Sequence, residues 1–147
     1  MDDCNNIRLL PGEPADLPLI FQLERAYIED YEPQNLQAWQ SAMNRHLEQW
    51  VRCLPRTVVA AEGDEKTGYM FWEQDAVTAT LASIHVKPAF RRRGIGRVLL
   101  EHVEEAAARD TYVMAHVYTD EGERRCLKTG VRSIEHANFV TEDTITI

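Results

Sequence analysis

Long apolar runs are missing from this sequence. No stretch approaches the ~20 residues a membrane span needs, so no membrane-crossing helix is expected. Cysteine is scarce: Cys4, Cys53 and Cys126 are scattered and odd in number. That argues against a disulfide framework or a bound metal and makes a reducing cytoplasm the default. The acidic start Met1-Asp2-Asp3-Cys4 lacks a signal-peptide pattern. Basic charge is in deficit, with 16 Lys and Arg against 24 Asp and Glu and a net charge of −8. Nucleic-acid binding, which needs a broad basic face, is therefore not expected. Internal repeats and low-complexity runs are also absent. What remains is 147 residues with an ordinary apolar fraction of 44%, which suits one domain over residues 1–147 with a real core.

Hydrophobic periodicity divides the chain into alternating elements. Asn6–Leu10 reads as a strand, followed by a turn at Pro11-Gly12. Asp16 reads as an N-cap, and Leu17, Ile20, Phe21, Leu23 and Ala26 follow helical spacing to about Ile28. Pro33 breaks that helix. A second helix is predicted from Asn35 to Cys53 on the spacing of Leu36, Trp39, Met43, Leu47, Trp50 and Val51, and Pro55 ends it. Thr57–Ala61, Thr67–Trp72 and Thr78–Val86 read as an antiparallel meander, the first two joined by Gly63-Asp64. Ile95–Arg109 is a helix with Ile95, Leu99, Val103 and Ala106 on its apolar stripe. Tyr112–Tyr118 is a strand, Glu121–Thr129 a short helix closed by Gly130, and Val131–Ile147 one or two final strands.

The most informative stretch runs from Ile84 to Leu100: strand, turn, Arg/Gly loop, helix. Gly94 and Gly96, at alternate positions, let backbone N–H groups converge on one point with no side chain in the way. The helix begins there, so its positive end faces the same point. Lys87, Arg91, Arg92, Arg93 and Arg97 form a dense basic patch in an acidic chain. Such a patch suits one small polyanion, such as a diphosphate, better than a polymer. A P-loop needs Gly-Lys-Ser/Thr, and Gly96-Arg97-Val98 stands here. A dinucleotide fingerprint needs a third glycine, and Leu99 stands there.

The order Arg91-x-x-Gly94-x-Gly96, after a strand ending in Val86-x-Pro88, resembles the GNAT superfamily of N-acetyltransferases. The resemblance implies an α/β (α+β) fold: a mixed, mostly antiparallel sheet with helices on both faces, in the order β-α-α-β-β-β-α-β-α-β(β). It implies that the loop amides hold the pyrophosphate of acetyl-CoA, so the cofactor-binding residues are Ile84, His85, Val86, Arg91, Arg92, Arg93, Gly94, Ile95, Gly96 and Arg97. The fourth and fifth strands, Thr78–Val86 and Tyr112–Tyr118, would splay around the pantetheine arm. A backbone amide near a bulge at Ile84 to Val86 would polarise the thioester. The implied activity is acetyl transfer to a primary amine, on a small molecule or a peptide, by direct attack in a ternary complex. A homodimer is a further expectation from the family.

Acetyl transfer to an amine also needs a base and an acid. His116, in the fifth strand, and His85, beside the expected acetyl site, are base candidates at a near-neutral pKa of ~6.5. For each, a structural histidine with one satisfied hydrogen bond is the competing reading. Glu73 is a weaker candidate. The family's acid is a tyrosine, and counting back from Gly130 puts Cys126 in its place. Cys126, the nearby Tyr118 or a water would then protonate the thiolate. The missing tyrosine also admits a non-catalytic acyl-CoA-binding module. Tyr27, Asp30, Tyr31 and Trp39, with Glu32, lie where the family builds its acceptor wall. Aromatic faces with carboxylates suit an ammonium group, although Tyr27 and Trp39 read equally as core.

Overall fold

The computed structural model describes residues 6–74, 78–106, 112–117 and 133–136. Its elements are β1 (Ile7–Pro11), α1 (Leu17–Tyr31), α2 (Leu36–Ser41), α3 (Met43–Arg52), β2 (Thr57–Glu62), β3 (Glu65–Gln74), β4 (Thr78–Val86), α4 (Ile95–Ala106), β5 (Tyr112–Val117) and β6 (Ser133–His136). The strands form one sheet in the order β1-β2-β3-β4-β5-β6. Neighbours from β1 to β4 are antiparallel, while β4–β5 and β5–β6 are parallel. The sheet is thus mixed and mostly antiparallel, as expected. The expected helix Glu121–Thr129 and the residues after 136 lie outside the described residues.

Alternation along the strands gives the sheet two apolar faces. Val58, Ala60, Met70, Trp72, Ile84 and Val86 face α4, where Ile95, Leu99, Leu100 and Val103 bury its apolar stripe. Val59, Tyr69, Phe71 and Ala82 face the other way, against Ile20, Leu23, Tyr27 and Ile28 of α1 and Trp50 of α3. Between β2 and β3, Gly63 takes a φ of +60°. Positive φ at the first residue of a two-residue hairpin loop matches the twist of its strands. At Gly68 a Cβ would come within 2.6 Å of the His85 carbonyl, so only glycine lets β3 and β4 approach there.

The predicted helix Asn35–Cys53 is in fact two. The Trp39 carbonyl receives the Ala42 N–H at 3.2 Å and lies 3.1 Å from His46 Nε2. The Ala42 N–H also keeps its i→i−4 bond to Ala38 O at 3.1 Å, so it is shared between two carbonyls, and the imidazole on the Trp39 carbonyl marks the break between α2 and α3 at Ala42. Asp16 also departs from expectation. Its carboxylate accepts the Glu13 N–H at 2.9 Å and pairs with Lys66, making no side-chain cap to α1. None of the described helices is long and apolar enough to cross a membrane.

Candidate active site

β4 leads into the Arg/Gly loop, and the loop leads into α4. A turn of 3-10 helix at Pro88–Phe90 follows Val86 and Lys87. Arg91 Nε donates to the Val86 carbonyl at 3.1 Å, which closes the loop on the end of the strand. Arg92 then takes a φ of +66° and Gly94 one of +84°. The left-handed region costs a non-glycine residue roughly 1–2 kcal/mol, and such outliers gather at ligand clamps. Before Arg92, the Arg91 N–H donates to the Pro88 carbonyl at 3.3 Å. The loop is tied to the helix by the Val98 N–H, which donates to Gly94 O at 3.0 Å. The first turn of a helix leaves N–H groups without an intrahelical partner, so the start of α4, with Gly94 and Gly96 beside it, is a candidate cradle for an anion.

Surface ion pairs hold the cradle's rim. Arg93 reaches Glu62 at 2.9 Å and lies 5.2 Å over the Phe90 ring; Lys87 reaches Glu65 at 3.3 Å; Arg97 lies 3.8 Å from Glu101. These exposed pairs are individually weak, so a diphosphate can compete for the cations. Arg91 and Arg92 are exposed and make no ion pair among the described residues.

A fork stands at the other end of the site. β4 pairs with β5 from Thr78↔Tyr112 to Leu81↔Ala115, and the pairing ends there although both strands continue. Against β3, the register shifts between Phe71↔Ser83 and Trp72↔Leu81, leaving Ala82 unpaired as a bulge. The bulge lies two residues before the Ile84 to Val86 stretch. Ile84 and Val86 bury their side chains against α4. His116 is the first β5 residue past the fork and pairs with Glu135 of β6. Tyr118 and Cys126 lie outside the described residues.

On the α1 face, next to the fork, β4 carries a buried polar cluster. Glu24 Oε1 accepts from Tyr69 OH at 3.1 Å and from Ser83 Oγ at 3.0 Å, and the two hydroxyls lie 2.7 Å apart. Burial pushes the Glu24 pKa up to about 8, against the opposing pull of Ser83, Tyr69 and Trp50. The Trp50 indole N–H and Glu24 Oε2 nevertheless make no hydrogen bond. His85 lies between Tyr27 and Tyr69, with ring centroids 5.5 and 5.6 Å away. Its Nε2 is buried without a partner, and burial with the nearby Arg91 charge lowers its pKa to about 3. An imidazole so weakly basic is a poor proton acceptor at neutral pH.

The acceptor-wall residues divide between surface and core. Tyr31 is 52% exposed and packs on the buried Tyr27 at a centroid distance of 4.9 Å. Asp30 is exposed. Glu32 is buried, takes a 3.3 Å bond from Asn35, and has its pKa raised by burial. Trp39 is a core residue, 5.6 Å from Phe21 and stacked 5.4 Å from His46, because its helix turns it inward. Glu73 is engaged elsewhere: Arg52 pairs with it at 3.0 Å and the Cys53 thiol donates to it at 2.5 Å.

Glu24, Tyr69 and Ser83 were not among the residues singled out from the sequence. One signal was present: Glu24 falls between Ile20, Leu23, Tyr27 and Ile28 on the buried stripe of α1. A carboxylate at a core position demands a polar partner.

Comparison with known proteins agrees with this geometry. The family model described as acetyltransferase (GNAT) family matches residues 22–130, well over half of the chain. No curated protein is similar enough in sequence to count as a relative. Among solved structures, N-acetylglutamate synthase from Neisseria gonorrhoeae, complexed with coenzyme A and N-acetyl-glutamate, superposes with a TM-score of 0.63 at 17% identity. That match covers 83% of this chain but 27% of the synthase chain, so this chain spans about a quarter of that protein. PH1933 from Pyrococcus horikoshii OT3 gives a TM-score of 0.63 at 18% identity, covering 83% of this chain and 85% of that one. The structure of yncA from Salmonella typhimurium, with its cofactor acetyl-CoA, gives 0.61 at 21% identity, covering 85% and 79%. At these identities the likeness is one of fold.

Proposed function

Because the chain belongs to the GNAT acetyltransferase family, we propose that it is an N-acetyltransferase carrying acetyl from acetyl-CoA to a primary amine by direct attack in a ternary complex. The observation that carries the reading is the Arg/Gly loop that runs into the start of α4, with Arg92 at a φ of +66° and Gly94 at +84°. Converging neutral donors with exposed arginines beside them match a diphosphate in charge and shape. The residues present therefore fit coenzyme A: the loop backbone for the diphosphate, and Arg91 and Arg92 for added positive charge. When bound, acetyl-CoA supplies the activated acyl group.

The rest of the chemistry falls to side chains near the fork. The acceptor arrives as an ammonium, and its proton must leave before the nitrogen can attack. His116 is our candidate base because the register puts it just past the last β4–β5 pair. Its ordinary pKa of ~6.5 suits that task. His85 is the weaker candidate because its neutral form is already so strongly favoured. Cys126 and Tyr118 remain the candidate acids. Tyr27 and Tyr31, with Asp30 and Glu32, offer the acceptor aromatic faces and negative charge.

The test is thiol release from acetyl-CoA with a panel of amines. Amine-dependent release is expected, and His116→Ala should lower kcat/KM by ~10²–10⁴ with coenzyme A affinity unchanged. A His116→Ala variant with wild-type rate and pH profile makes that residue structural. The second reading, a non-catalytic acyl-CoA-binding module, is favoured by Cys126 at the family's tyrosine position. It predicts coenzyme A binding with no amine-dependent thiol release.

A further inference from the structure

Three oxygen atoms meet beneath the β4 bulge: Glu24 Oε1, Tyr69 OH and Ser83 Oγ, at 2.7, 3.0 and 3.1 Å from one another. All three side chains are buried, at 2%, 0% and 0% exposure. Two hydroxyls bring two hydrogens, but three contacts need three. With an ionised carboxylate, one contact would set oxygen lone pairs against each other in a site closed to water. A protonated Glu24 supplies the third hydrogen and closes a cyclic set of bonds in which each member both donates and accepts.

This ring joins three elements. Glu24 comes from α1, Tyr69 from β3 and Ser83 from β4, one residue past the bulge at Ala82. We propose that Glu24 is a positioning residue that acts as a neutral acid, holding Ser83 and with it the β4 backbone at the fork, and that losing its proton loosens this hold. The proposal rests on the acetyltransferase reading for its effect on turnover but not for its effect on β4. Its sense in the reaction is electrostatic as well as geometric. A carboxylate under the fork would oppose negative charge developing at a thioester oxygen, whereas a neutral acid does not.

The surroundings isolate the titration. Tyr69 and Ser83 face Glu24 from the sheet and Trp50 faces it from α3, and none of them carries a charge at neutral pH. His85, the next residue of β4 on that face, is buried and has its pKa lowered to about 3. His46, stacked on Trp50, is also shifted down, by burial. Neither histidine changes charge near pH 8, where burial puts the Glu24 transition.

The experiment follows the backbone amide signals of Ala82, Ser83 and Ile84 by NMR from pH 6 to 9.5, in the wild type and in Glu24→Gln, which stays neutral throughout. The wild-type signals should shift with one midpoint near 8, and the Glu24→Gln signals should not. Flat wild-type signals, or the same transition in Glu24→Gln, overturn the proposal whatever the enzyme's activity. The second measurement is the pH profile of thiol release. Wild-type turnover should fall about tenfold per pH unit above the transition, while Glu24→Gln keeps its neutral-pH rate within about threefold and lacks that fall. A β4 transition without a matching change in turnover removes the role in the reaction. Failure of every amine to release thiol overturns the functional reading, and the amide titration still decides whether Glu24 holds β4. If Glu24→Gln folds poorly, Tyr69→Phe removes one hydroxyl from the ring and should move the midpoint by more than half a pH unit. An unmoved midpoint there overturns the ring.

Discussion

The two ends of β4 are built on opposite principles. At its C-terminal end the Arg/Gly loop exposes its arginines, and the groups we propose for the diphosphate are backbone N–H donors placed by local geometry at the start of α4. Near its middle, the Glu24–Tyr69–Ser83 ring is sealed, and its working groups are side chains brought together over 45 and 59 residues of sequence. The loop can lose a side chain and keep its cradle, because the N–H groups belong to the main chain. The ring cannot, since each oxygen completes the other two. The proposed anion site is therefore a short-range property of sequence, while the setting of the fork is a long-range one.

The comparison sharpens most under pH. Ionisable groups at the sheet's α1 face should control stability, while the loop should contribute nothing. Glu24 is neutral in the folded state up to about pH 8 but has an ordinary value of 4.5 when unfolded. The unfolded chain releases that proton first, so stability from Glu24 is complete below about 4.5 and is lost as pH rises towards 8. His85 runs the other way: its folded value is near 3 against 6.5 unfolded, so its stability is complete above 6.5 and is lost as pH falls. The two slopes cancel between the ordinary values of Glu24 and His85. From pH 6.5 to 8 only Glu24 acts, and the wild type should lose about 2 kcal/mol at ~1.4 kcal/mol per pH unit. Urea unfolding of the wild type and Glu24→Gln at both pH values measures this. A wild-type loss that Glu24→Gln shares would mean the acid does not set the slope.

A smaller effect is expected at the loop's side chains. If the backbone carries most of the diphosphate contact, Arg91→Ala and Arg92→Ala should each weaken coenzyme A binding only about fivefold, near 1 kcal/mol. That loss should shrink as salt is raised. A hundredfold loss in either variant would move the site from the backbone to the side chains and erase the contrast with the ring.

Legibility in the sequence follows the same division. The loop was readable because the turn, the alternate glycines and the helix start are contiguous from Lys87 to Arg97. The meander and the α4 stripe were readable because period-2 and period-3.6 patterns are local. The break at Ala42 was not, since the Trp39–His46 contact that accompanies it spans seven residues inside an otherwise regular helical pattern. Nor was the placing of the bulge at Ala82, which depends on the register of β3 against β4. Glu24 resembled one more helical acid until its partners from β3 and β4 were in view. His85 was legible as a position but not as a chemical species, because only packing between Tyr27 and Tyr69 and the nearby Arg91 makes it so weak a base.

The account rests on the claim that main-chain donors at the start of α4 hold the diphosphate of coenzyme A. Calorimetric titration of coenzyme A into the wild type, Gly94→Val and Gly96→Val tests it most directly. Gly94 has a φ of +84° that valine cannot adopt without strain, and a side chain at either position obstructs ligand approach to the backbone. The account predicts micromolar wild-type binding, about −8 kcal/mol, and a loss of a hundredfold or more in both folded variants. Wild-type affinity retained in both would contradict it.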